Sequence, residues 1–152
     1  KLINHQSLIN LVIVCGRIVC GNRQPQGKIY EKKYNFVSLP GFIPDKDLQA
    51  IYSQAKAFVS PSLMEGFGLP GVEAMKADCP VVCSNIPVFK EIYGKAAAYF
   101  YPENIEDIKE KIVKIINLSS EEREKVVKRG REQAKKYSWQ KCARQTMKIY
   151  QI

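Results

Sequence analysis

The chain has 152 residues, 45% of them hydrophobic and 26% charged, with a formal charge of +9. That size supports one respectable core, so one domain is expected rather than two. No stretch approaches the roughly 18 consecutive apolar residues of a membrane helix and no basic-then-apolar leader opens the sequence, so the expected compartment is the cytoplasm.

In chain order, LVIVCG at 11–16 is a continuous apolar run closed by glycine and reads as a strand buried on both faces. GNRQPQGK at 21–28 is the one clear loop-like stretch. NFVSLPGFI (35–43), AFVSPS (57–62), PVVCSN (80–85) and AAYFY (97–101) read as further buried strands. Between them lie the amphipathic segments PDKDLQAIYSQAK, LPGVEAMKA, PVFKEIYGK and NIEDIKEKIVKII. Short apolar strands alternating with helices predict an α/β domain, a doubly wound parallel sheet with helices on both faces. Asp45 is placed as an N-cap, Ser119 with Glu122 as a capping box, and Ser138 as the cap of a last helix with Trp139, Ala143, Met147 and Tyr150 on one stripe.

Five cysteines, Cys15, Cys20, Cys79, Cys83 and Cys142, form no CxxC pair, and the lone His5 cannot complete a metal cluster, so reduced and mostly buried thiols are expected and no metal. The charge is unevenly spread: residues 1–108 hold 11 Lys and Arg against 10 Asp and Glu, and residues 109–152 hold 13 against 5. A solvated helix face is the plain reading of the basic third. Attraction to anionic phospholipid or a pyrophosphate-linked acceptor is the alternative, and nucleic acid is disfavoured for want of interleaved aromatics.

The segment PSLMEGFGLPGVEAM, 61–75, carries the chemistry. It follows a strand and opens a helix, the place where open α/β sheets bind ligands. Pro70 presets helical φ in the first turn, and the amide groups from about Gly66 to Val72 are expected to face an anion, with Gly66 and Gly68 admitting a ligand close to the backbone. Glu65 and Glu73 stand on either side with seven residues between them. Carboxylates repel phosphate but accept from hydroxyls, so one on each flank of an anion site suits a ligand with hydroxyls at both ends of a diphosphate: a nucleotide sugar.

EGFGLPGVEAM resembles the Glu, seven residues, Glu motif of retaining GT-B glycosyltransferases of the family-four type, glycosyl transferases group 1. LVIVCG, GFIPDKDLQAIYSQAKAFVSPS, PVVCSNIPVFKEIYG and YSW are similar to successive segments of the C-terminal donor-binding domain of that family. The resemblance implies transfer of a hexosyl group from a UDP- or GDP-sugar to a glycan or lipid-linked acceptor, with no cofactor. It implies that Glu65 holds the donor sugar as the catalytic positioner, that Gly66, Phe67, Gly68 and Leu69 meet sugar and diphosphate, that Glu73 accepts from the ribose, and that Phe42 and Ile43 contact the base.

Departures accompany the likeness. Ala77 and Asp78 replace a small residue and glycine, and Asp is expected to tolerate the left-handed helix end. Lys95 sits where an acidic residue is common. KLINHQSLIN resembles the end of the first helix of that domain, so LVIVCG is expected to be its second strand, with the first strand and its phosphate-gripping Arg and Lys absent; the other register would make Arg17 the phosphate residue. The resulting expectation is a partial Rossmann-like domain at 1–137 and a C-terminal helix at 138–152 that packs toward an absent N-terminal domain. The isolated chain is expected to be inactive. The competing readings are a catalytically silent nucleotide-sugar-binding fragment or subunit and, less favoured, a sugar-nucleotide epimerase. A position at the inner face of the membrane is also compatible with the basic third.

Overall fold

The structure is a computed structural model that describes residues 11–12, 36–38, 40 and 43–150. Arg17, His5, Cys15, Cys20, Phe42, the loop at 21–28 and most of the first expected strand lie outside the described residues. The chain divides into two compact units, Lys1–Leu48 and Gln49–Ile152.

In the first unit, β1 (Leu11–Val12) pairs in parallel with β2 (Val37–Ser38), Leu11 opposite Val37 and Val12 opposite Ser38. Helix α1 (Asp45–Gln54) follows Pro44. Asp45 is not its cap. The Pro44 carbonyl takes the first bonds, from the amides of Asp47 at 2.9 Å and Leu48 at 3.1 Å, which makes Pro44 the cap residue and Asp45 the first helical one. Proline, without an N–H and with a preset φ, ends the extended chain there, and Asp45 and Asp47 complement the helix dipole from inside the first turn.

The second unit holds β3 (Phe58–Ser60), β4 (Val81–Ser84) and β5 (Ala97–Phe100) in one parallel sheet of order β3-β4-β5. Phe58 faces Val81, and Val81 faces Ala97, and the register runs evenly from there. Every residue of the central β4 is buried, which explains why its sequence is apolar without alternation. The described strands thus form two separate parallel sheets, β1-β2 in the first unit and β3-β4-β5 in the second.

Helix α4 (Ile105–Ile116) covers one face of this sheet, where Val82, Phe100 and Ile115 are buried together with Val59, Ala98, Ile108 and Ile112 packed around them. Full burial contributes roughly 1.5–3 kcal/mol for each such side chain. Alternation along β4 turns Val81 and Cys83 to the other face. That side belongs to α2 (Leu69–Lys76), α3 (Pro87–Tyr93) and α5 (Ser120–Ala134). Helix α5 lies on α2 through Gly130, whose missing side chain leaves room for Met75: a Cβ there would sit 3.4 Å from Met75 Cγ. Burial pushes the Cys79 thiol up to about 11 and that of Cys83 to about 12, so both are protonated small hydrophobes. Cys142, by contrast, is exposed.

Local caps are built as the sequence implies. The Ser119 hydroxyl accepts from the Glu122 amide at 3.3 Å while the Glu122 carboxylate accepts from the Ser119 amide at 3.0 Å, a complete capping box. Asn104 accepts from the amides of Glu106 and Asp107, each at 3.1 Å, and starts α4. Ser138 accepts from the Lys141 amide at 3.1 Å and starts α6 (Trp139–Tyr150), every residue of which is exposed. The stripe of Trp139, Ala143, Met147 and Tyr150 is therefore not core of this chain. Asp78 takes φ 62°, the one described non-glycine residue with positive φ, and its carboxylate pairs with Arg131 of α5, whose Nη2 donates at 2.8 Å. That pair draws the Asp78 carboxyl below its usual range. No described helix is long and apolar enough to cross a membrane.

Candidate functional site

Parallel order puts the carboxyl ends of β3, β4 and β5 along one edge of the sheet. The chain leaves β3 there as PSLMEGFG and turns into α2. Leu63, Met64, Glu65 and Gly66 of this loop are exposed, Phe67 is half-buried and Gly68 is buried. Gly68 is the cap residue of α2, with φ 90° and ψ 43°. This left-handed geometry is open to glycine and strained for an L side chain. No side chain caps the helix, Pro70 lies in its first turn and no acidic residue stands there.

The glycines of the loop divide by what surrounds them. Around Gly66 a Cβ would meet nothing within 4 Å, so its backbone is open to a ligand, as the sequence implies. Gly68 and Gly71 are small for an internal reason. A Cβ on Gly68 would fall 2.8 Å from Phe89 Cε1, and one on Gly71 would fall 2.5 Å from Tyr93 Cζ. Tyr93 lies fully buried beneath the helix start and donates its hydroxyl proton to the Gly68 carbonyl at 2.6 Å, its ring stacked on Phe89 at 5.0 Å. Burial, with the charge of Glu65 adding to it, raises the Tyr93 hydroxyl so that it stays a donor. Phe67, one residue earlier, meets Tyr137 edge to face at 5.3 Å, and the Tyr137 hydroxyl donates to the Ile92 carbonyl at 3.0 Å.

The amides presented at the helix start are fewer than the sequence reading allows. The Gly71 amide is satisfied by the Gly68 carbonyl at 3.1 Å, and Pro70 has none. The first-turn amides without an intrahelical acceptor therefore reduce to those around Gly68 and Leu69, next to the open Gly66. The Glu65 carboxylate accepts from the Ser62 hydroxyl at 2.8 Å, and Ser62 lies 3.4 Å from the Ser60 hydroxyl at the end of β3. Glu73 projects from the exposed side of α2, close enough to Tyr52 of α1 that its charge joins burial in raising that phenol to about 12. The structure thus carries Glu65, Gly66, Phe67, Gly68, Leu69 and Glu73 on one continuous connection, β3 to α2. Ile43 is half-buried just before α1, and Phe42 is outside the described residues.

On the same carboxyl edge, Asn85 follows β4, and its Oδ1 is buried without a hydrogen-bond partner. The sequence reading passed over Asn85, Gly71, Tyr93 and Tyr137 as site residues. The GxPG spacing of Gly68 and Gly71 was the available signal for close packing, but it names no partner. Among the described residues, no group of three or more His, Cys, Asp or Glu is placed to hold a metal ion.

A parallel α/β sheet whose carboxyl edge leads into a glycine-capped helix start is the architecture of a Rossmann-like domain. Residues 4–133 match the family described as glycosyl transferases group 1, and the chain belongs to that family. It is 41% identical over 112 residues to the O-antigen chain mannosyltransferase B of Escherichia coli, covering 74% of this chain and 29% of that protein. It is 31% identical over 113 residues to an MMP α-(1→4)-mannosyltransferase of Mycolicibacterium hassiacum, covering 72% of this chain and 27% of the relative. The chain thus spans less than a third of the length of these curated relatives. Among solved structures, the sucrose-phosphate synthase of Thermosynechococcus elongatus superposes with a TM-score of 0.80 at 24% identity, over 93% of this chain and 38% of that one, which shows the shared GT-B-type fold.

Proposed function

We propose that this chain is the donor-binding part of a retaining glycosyltransferase that moves a hexosyl group from a nucleoside diphosphate sugar to a glycan or lipid-linked acceptor. The observation that carries the reading is the β3–α2 connection: a glycine-capped helix start without a side-chain cap, open backbone at Gly66, and Glu65 and Glu73 on either side with seven residues between them. In this reading the amides and the helix dipole take the diphosphate and stabilise the charge that develops as it departs. Glu65, oriented by Ser62, accepts from the sugar hydroxyls and positions the reacting carbon; Glu73 accepts from the ribose. Mannose is the first sugar to test, because both curated relatives described above are named for mannosyl transfer.

Calorimetric titration of UDP- and GDP-sugars, GDP-mannose included, tests the proposal on the full-length enzyme, with the 152-residue chain assayed beside it. Glu73→Ala is expected to weaken nucleoside diphosphate binding by about 0.5–1.5 kcal/mol for each ribose hydrogen bond lost. Glu65→Ala is expected to leave diphosphate affinity nearly unchanged and to lower kcat. Equal affinity in the Glu73 variant removes the ribose assignment, and normal turnover in the Glu65 variant removes the sugar assignment. The isolated chain is expected to show no transfer and to bind donor at least about tenfold more weakly, a difference of about 1.4 kcal/mol.

A further inference from the structure

We propose that Tyr93 and Tyr137 are positioning residues that hold the β3–α2 loop in its donor-binding shape from below, one at Gly68 and the other at Phe67. The inference rests on the reading of that loop as the donor site. Two adjacent loop residues are gripped by two tyrosines from distant parts of the sequence. Tyr93, at the end of α3, bonds the Gly68 carbonyl at 2.6 Å and fills the space that Gly68 and Gly71 leave open. Tyr137, between α5 and α6, meets the Phe67 ring at 5.3 Å. The two are tied to each other through the end of α3. Tyr137 donates to the carbonyl of Ile92, the residue before Tyr93, at 3.0 Å, and Gln133 of α5 donates to the same carbonyl at 2.6 Å.

The left-handed Gly68 sets the direction in which α2 departs and therefore where its first-turn amides point. Glycine has no intrinsic preference for that geometry over others, so an external contact must select it. The Gly68 carbonyl is shared by the Tyr93 hydroxyl and the Gly71 amide, which fixes the peptide plane at the helix start. Leu63, Met64, Glu65 and Gly66 are all exposed, so the segment that carries Glu65 is held by Ser62 on its upstream side and by Phe67 on its downstream side. Without the tyrosines, the binding-competent loop would be one member of an ensemble, and donor affinity would fall by the fraction so populated.

The test uses Tyr93→Phe, Tyr137→Phe and Tyr137→Ala in the full-length enzyme, with hydrogen exchange of the loop amides and donor kinetics read together. Tyr93→Phe keeps the stacked ring and removes one hydrogen bond, so amides from Gly66 to Val72 are expected to exchange roughly three- to tenfold faster, with donor KM raised by a similar factor. Tyr137→Phe is expected to be milder than Tyr137→Ala, because the edge-to-face ring contact survives. Saturating donor is expected to restore protection in every variant. Unchanged loop exchange in Tyr93→Phe overturns the proposal. So does a fall in maximal rate at unchanged KM, the outcome of a residue that only stabilises the fold and lowers the fraction of active enzyme. A wild-type loop that no nucleoside diphosphate sugar protects overturns the donor-site reading itself, and with it the role assigned to the tyrosines.

Discussion

The starts of α2 and α5 solve the same problem in opposite ways. Helix α5 satisfies its first amides from its own sequence, by the reciprocal Ser119–Glu122 box, and places Glu121 and Glu122 in the first turn against its dipole. Helix α2 has no side-chain cap and no acid in its first turn, and its start is shaped by Tyr93, which lies 25 residues away. The α5 solution consumes the electrostatic potential of a helix end in stabilising that end. The α2 solution fixes the backbone from the buried side and leaves the outer side available for an anion.

The sharpest break of this comparison is Gly68→Ala. It forces an L side chain into φ 90° and places a methyl group 2.8 Å from the buried Phe89 ring. Left-handed strain and overpacking together are expected to cost about 3 kcal/mol, read as a lowered urea midpoint. A cost below about 1 kcal/mol would show that the helix start relaxes freely and that the tyrosine beneath it selects nothing. Ser119→Ala should cost about 1 kcal/mol, the usual worth of such a cap, and leave nucleotide-sugar affinity untouched. Altered donor binding in that variant would mean the two helix starts are coupled.

Gly66→Ala sharpens the contrast from the other side. A methyl group at Gly66 meets nothing within 4 Å and Gly66 is not in the left-handed region, so stability should change by less than about 0.5 kcal/mol. Donor affinity should fall, because the added methyl occupies the approach to the loop backbone. Unimpaired donor binding would place the ligand elsewhere.

The smallest effect is a pH dependence at the other end of α2. Asp78 is drawn below its ordinary 3.8 by its hydrogen bond to Arg131, and Glu122 below 4.5 by its bonds to Ser119. A carboxyl lowered by folding stabilises the folded state above its ordinary value, and that contribution is lost as pH falls through the lowered one. Thermal midpoints are therefore expected to drop as the solution is acidified below about pH 4. The drop should be shallower in Asp78→Asn, which keeps a side chain tolerant of positive φ and removes the titrating group. Identical acid profiles would show that the exposed pair with Arg131 contributes nothing measurable, as many surface pairs do not.

Legibility in the sequence followed the range of the interaction. The capping box at Ser119, the cap at Ser138 and the left-handed Asp78 are settled by residues within one helical turn, and each is found as read. The same reasoning misplaced the start of α1 by one residue. Asp45 is a good cap by type, but Pro44 offers a carbonyl already aligned with the amides of Asp47 and Leu48. The stripe on α6 was visible from its period, and only the structure shows all of it exposed in this chain.

The site divides in the same way. Its position is local information, because a buried strand, a glycine-rich turn and a proline in the first helical turn are adjacent in the chain and their backbone preferences are short-ranged. From these the sequence alone determined the alternating α/β architecture, the β3–α2 connection, and Glu65 and Glu73 as the residues flanking it. Gly68 and Gly71 were visible too, but their reason was not. Tertiary structure decided that they make room for Tyr93 and that Phe67 rests on Tyr137. Those contacts join residues 22 to 70 positions apart, and no propensity or spacing encodes them; they exist only once the parallel sheet has brought the end of α3 and the end of α5 beneath the same loop.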